Sequence, residues 1–208
     1  MLSLSTRERL LDAAYRILSE ESFTQLSIDR VTERAGLSRR TFFLHFKSKD
    51  QLLAATLAQI RPAQAATLRR WSEQLDPDLS VEERICTLVR NLVETIRSPG
   101  WHGCCFMRLS AEFGDRTGHP VHAVVAEAHH DMERWLEAEL HGGSYAAPAL
   151  VAKQLVTLIH GMLLMQLVHR NDSYSDAVLA MLPAILASNR SSDAPPKQES
   201  AVLLACAG

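Results

Sequence analysis

The chain has no uninterrupted apolar run long enough to cross a bilayer. Its longest apolar-looking stretch, 149–168, is broken by Lys153, Gln154, His160 and Gln166. MLSLSTRERLL meets charge by Arg7 and has no apolar leader core, so export is not expected and the cytoplasm is the expected location. Cysteine is scarce: Cys86, Cys104, Cys105 and Cys206 are too few and too irregular for a disulfide framework, and no CxxC pair suggests structural zinc. HExxH, a nucleophile elbow and a phosphate-cradling glycine loop are absent too, so no catalytic residue, metal or cofactor is expected. Strand-like alternation and internal repeats are missing.

Charge of one sign is also lacking, since the formal net charge is −2. The average conceals an uneven distribution. Residues 1–50 carry nine Lys and Arg against seven Asp and Glu, a balance of +2, which leaves −4 for the remainder. With 47% hydrophobic and 22% charged residues the composition is that of an ordinary globular protein.

What remains is helical almost from end to end. Ser5 and Glu8 have capping-box spacing, and Leu10, Ala14, Ile17 and Leu18 then fall on one face. Ser27 precedes a short helix with Ile28, Val31 and Ala35 at helical spacing, and Gly36 supplies a left-handed stop. Ser38 caps a third short helix through about His45. Ser48 and Gln51 predict another capping box, opening a long helix from about Lys49 to Leu75. Ser80 and Glu83 cap a further helix through about Arg97, and helical stretches follow near 103–114, 119–141, 147–170 and 174–189. The expected fold class is all-α: an N-terminal three-helix helix-turn-helix domain (1–50), a larger C-terminal helical ligand-binding and dimerisation domain (51–190), and a polar, disordered tail (191–208).

The stretch LSRRTFFLHFKSKD concentrates basic and aromatic residues behind the tight turn AGLS. A helix, a glycine-containing turn and a second helix opening on Arg39 and Arg40 form a helix-turn-helix, whose second helix enters the major groove. Arginine there can take guanine O6 and N7 bidentately, while Lys47, Lys49 and the free amides at the start of the fourth helix suit phosphates. Phe42 and Phe46 are spaced to pack inward. Phe43 and Leu44 lie on another face, within reach of thymine methyl groups. Ser38, Thr41 and His45 complete the expected DNA-facing set, with double-stranded operator DNA as partner.

LSIDRVTERAGLSRRTFFLHFKSKDQLL resembles the DNA-binding domain of TetR/AcrR-type bacterial regulators, over about residues 6–55. Ser27 stands where that family has a phosphate-binding Thr or Ser. Arg40 stands where glycine is frequent, and Phe43 where tyrosine is. LIHGMLLMQLV is similar to the glycine-containing segment of the family's penultimate helix. The resemblance implies a repressor that binds a palindromic operator as a homodimer and is released by a small-molecule effector. It also implies an effector pocket, expected around Trp101, Cys104, Phe106, Met107, Phe113, Met132, Trp135, Met162 and Met165. The last two helices would form the dimer interface, with Leu155, Ile159, Leu164, Leu167, Val178 and Leu182 as candidates.

Two other features have competing readings. His119 and His122, the adjacent His129 and His130, and the acids Glu112, Glu127, Asp131 and Glu133 would suit a helical metal-binding protein or enzyme built on residues 112–133. GWHGCCF places Cys104 and Cys105 beside His102 at a helix start, which suits either a thiolate sensor or small buried residues.

Overall fold

The computed structural model describes residues 4–21 and 23–191; the expected tail, with Cys206, lies outside the described residues apart from Ser191. Every named element is helical: α1 (Thr6–Glu20), α2 (Ile28–Ala35), α3 (Arg39–His45), α4 (Lys49–Glu73), α5 (Val81–Arg97), α6 (Cys105–Phe113), α7 (Pro120–Leu140), α8 (Pro148–His169) and α9 (Ser173–Ser188), with a short 3-10 turn at Phe23–Gln25.

The first helices form where their caps place them. Ser5 and Glu8 close a full capping box on α1, and Ser27 Oγ and Ser38 Oγ accept from the Arg30 and Thr41 amides at 3.2 and 3.0 Å. Gly36 sits at φ +62°, where a side chain would be strained. Arg9 Nη2 reinforces the same turn by donating to the Ala35 carbonyl at 2.5 Å. At α4 the expected box differs in detail. Ser48 Oγ accepts from the Gln51 amide, but the Gln51 side chain reaches past Ser48 to accept from the Lys47 amide at 2.6 Å.

The chain divides into two compact units. The first takes the residues up to Gln64 together with Cys104–Ala128. Its apolar core joins Leu10, Leu11, Ile17, Phe42, Phe46, Leu52, Leu53 and Leu57 to Phe106, Leu109, Phe113, Val121 and Val125. Packing therefore groups α6 and the first turns of α7 with the three N-terminal helices, a long-range pairing that local periodicity does not contain.

The second unit takes Ala65–Gly103 and the described residues from His129 onward. Ile85, Val89, Val93, Leu136, Leu140, Leu155, Ile159, Met162, Leu182 and Leu186 are buried there. Side-chain pairs fix its helices: Arg84 of α5 lies 3.2 Å from Glu139 of α7, both largely buried, and Arg97 meets Asp172 and Asp176 around the start of α9. Ser72 of α4 joins the first of these pairs, hydrogen-bonded to Glu139 and 2.9 Å from Arg84 Nη2. Length and composition alone would let α8 cross a bilayer, because its interruptions are polar more often than charged. Val151, Leu155, Val156 and Ile159 are nevertheless buried inside the unit, where α8 packs on α9 and α5.

Candidate nucleic-acid interface and effector region

α3 is short and two-faced. Phe42 is fully buried and Phe46 nearly so, their rings 5.8 Å apart, while Phe43 is half exposed and Leu44 three-quarters exposed. Phe43 meets Phe42 edge-on at 5.3 Å, so part of its ring supports the core and the rest faces outward. Arg39, Arg40, His45 and Lys47 are exposed on the same short stretch. Thr41 is half buried, its hydroxyl 2.8 Å from Ser38 Oγ, so both side chains serve the helix start. Ser27 is likewise engaged in capping α2, and Lys49 opens α4.

The two arginines differ. Arg39 Nη1 donates to Asp29 Oδ1 of α2 at 2.6 Å, both side chains being more than half exposed. Arg40 makes no ion pair among the described residues. Asp29, ten residues before Arg39, is missed by sequence reasoning because the pair forms across the turn rather than within one helical period. Arg7, whose guanidinium lies 5.3 Å from the centre of the Phe46 ring, is another basic residue brought here by folding alone. The arrangement presents cations around a short, anchored helix, with the capped start of α4 following directly.

The residues expected to line an effector pocket are dispersed. Phe106 and Phe113 belong to the first unit's core, and the half-buried Cys104 packs against it. Met107 is half buried on α6. Trp101, Met132 and Trp135 are partly buried in the second unit. Met162 and Met165 line a groove of about 660 Å³ between α8 and α9, with Leu150, Leu158, Tyr174, Val178, Met181 and Ile185.

That groove bears on the expected dimer residues. Leu155, Ile159, Val178 and Leu182 are largely consumed by packing within the chain. Leu167 is half buried. The outward apolar residues are Leu150, Leu164, Val168, Tyr174 and Met181, all more than a third exposed.

The histidines have separate occupations. His119 stacks on Phe113 with ring centres 3.9 Å apart and lies 3.4 Å from Asp50, and His122 Nε2 meets the Arg116 carbonyl at 3.0 Å. His129 packs against His160 at 4.6 Å, while His130 faces Glu133 at 3.7 Å. Burial lowers the His129 pKa and takes His160 down to about 4, so both imidazoles are neutral at pH 7. Among the described residues no three His, Cys, Asp or Glu side chains converge as metal ligands, so the cluster reading of 112–133 gains nothing from folding. The thiols of Cys104 and Cys105 are likewise unactivated. Burial raises Cys104 and pushes Cys105 up to about 12, outweighing the amides at the start of α6 that favour thiolate.

An all-α chain with a capped helix-turn-helix and an outward basic recognition helix belongs to the class of DNA-binding regulators. Residues 10–56 match the family described as bacterial regulatory proteins, tetR family, and residues 81–182 match the tetracyclin repressor-like C-terminal domain. The chain belongs to the TetR family of transcriptional regulators. It is 24% identical to the HTH-type transcriptional regulator YjdC of Escherichia coli, over 86% of this chain and 93% of that one. Among solved structures it is similar to SCO4454, a TetR-family transcriptional regulator from Streptomyces coelicolor, at 28% identity and a TM-score of 0.76, covering 89% of this chain and 90% of the other. A putative TetR-type regulator from Streptomyces avermitilis is similar at 25% identity and a TM-score of 0.77, covering 89% and 98%.

Proposed function

We propose that the protein is a cytoplasmic repressor that binds a palindromic operator as a homodimer and is released by a small-molecule effector. The observation that carries this reading is α3: Phe42 and Phe46 anchor it, and Arg39, Arg40, Phe43, Leu44 and Lys47 all face outward. Each chain has one such helix, so a palindrome requires two chains, with recognition helices about one DNA turn (roughly 34 to 36 Å) apart. The apolar groove of α8 and α9 supports the second copy, since an exposed apolar strip of this kind is best covered by its own equivalent. The chain acts by binding rather than by turnover. An effector that prefers a conformation with the wrong helix separation would weaken operator binding roughly 5- to 150-fold, a coupling of about 1 to 3 kcal/mol.

Light scattering combined with a salt-dependent gel shift tests this. The wild type should run as a dimer and lose operator affinity steeply with salt. Leu164→Asp combined with Met181→Asp should give monomers that no longer shift the operator. Dimers that survive both charges would remove α8 and α9 from the interface.

A further inference from the structure

Asp29 and Arg39 form an ion pair that the fold does not need. Arg39 Nη1 donates to Asp29 Oδ1 at 2.6 Å, with the two side chains 56% and 70% exposed for Arg39 and Asp29. Exposed pairs add little stability, and α2 and α3 are already fixed by the Ser27 and Ser38 caps, the Gly36 turn and the buried Val31, Ala35 and Phe42. The other arginines of α2 are paired differently: Arg30 meets Glu21, and Arg34 meets Glu20 and Glu21, which ties α2 back to the end of α1. Asp29 instead sets a carboxylate against the residue that opens α3, the helix proposed to enter the groove of a polyanion. An acid there repels phosphates, so it works against plain backbone binding.

What the pair achieves is orientation. A guanidinium is a rigid fork of N–H donors, and Asp29 engages it at Nη1, which leaves the Nε–H and Nη2–H edge for a pair of acceptors. Guanine O6 and N7 present such a pair in the major groove. A long, unrestrained arginine on an exposed helix samples many rotamers and can settle on a phosphate, a contact that carries no sequence information. Arg40 supplies the contrast. It is exposed on the next position of the same helix and makes no ion pair among the described residues.

We propose that Asp29 is a positioning residue that sets operator specificity: it holds Arg39 edge-on to a base pair and off the phosphates, so that Arg39 reads guanine while Arg40 grips the backbone. This inference rests on the reading that α3 enters the major groove, and it divides the work within that site. The carboxylate also suits the start of α2, where it meets the helix dipole, but that role bears on stability and not on the choice of sequence.

Selection from a pool of random duplexes, followed by gel shifts of the selected site and of a scrambled duplex, tests the division. In Asp29→Ala the ratio of the two affinities should fall about ten-fold, with preference relaxed at the base pair that Arg39→Ala relaxes. Binding to the scrambled duplex should hold or tighten, its salt slope steeper by about one unit as the released guanidinium takes a phosphate. Asp29→Asn, which keeps an acceptor oxygen without the charge, should fall between. In an Arg39→Ala background, Asp29→Ala should relax preference no further, and Arg40→Ala should weaken both duplexes alike. An Asp29→Ala protein that melts lower but keeps the wild-type ratio would overturn the proposal, as would a ratio that falls equally far whether or not Arg39 is present. A wild type that selects no sequence would remove the operator reading and this inference with it. A selected site relaxed by Arg39→Ala but untouched by Asp29→Ala would keep that reading and remove the role of Asp29.

Discussion

The two units are specified differently. In the first, the DNA-facing part is written in short-range signals: Ser5 with Glu8, Ser27, Gly36 and Ser38 each act within four residues of the helix end they set. In the second, α5 also opens on a capping box, Ser80 with Glu83, but α8 and α9 begin without a side-chain cap, and the helices are held by partners far apart in sequence, such as Arg84 with Glu139 and Arg97 with Asp176. A recognition helix must present the same side chains every time. On the proposed function the second unit must have more than one arrangement available, and a few long-range polar pairs are easier to exchange than local caps.

All three tryptophans, Trp71, Trp101 and Trp135, lie in the second unit, so their fluorescence reports that unit. The largest expected effect is Phe42→Ala, which removes a fully buried ring and should cost the first unit about 3–5 kcal/mol. Far-UV circular dichroism should then show a transition ahead of the tryptophan signal. Coincident transitions would mean that the units unfold as one. Arg84→Ala should act in the opposite sense, moving the tryptophan transition by about 2–3 kcal/mol because it leaves Glu139 without its cation in a largely buried site.

Smaller again is Arg39→Ala, expected to cost about 1–3 kcal/mol on the cognate operator and to relax preference at one base pair. Lys49→Ala should instead weaken all duplexes alike and flatten the salt slope by about one unit. The smallest effect is pH. His129 and His160 have folded pKa values below their unfolded ones, so the unfolded chain binds more protons as pH falls from about 6.5 toward 4. Stability should decline over that window, and His160→Gln should reduce the decline. A melting temperature flat between pH 7 and 5 in both proteins would contradict the buried, neutral assignment.

The same contrast explains what the sequence made legible. Helix positions were readable to within a few residues, because caps and 3.6-residue periodicity are local, and so was the inward placement of Phe42 and Phe46. Partners across the fold were not readable. Periodicity cannot say that Phe106 and Phe113 join the core under α3, nor that Leu155 and Leu182 are consumed inside the chain. Asp29 beside Arg39 is likewise a product of tertiary packing.

The proposed function turns on α3 reading duplex DNA in pairs. Selecting binders from a pool of random duplexes with the wild-type protein tests it most directly. An inverted repeat with half-site centres about 10 base pairs apart should be enriched, and Arg39→Ala should lose preference at one symmetric position. A pool that stays random, or an enriched site unchanged by substitutions at both Arg39 and Arg40, would contradict it.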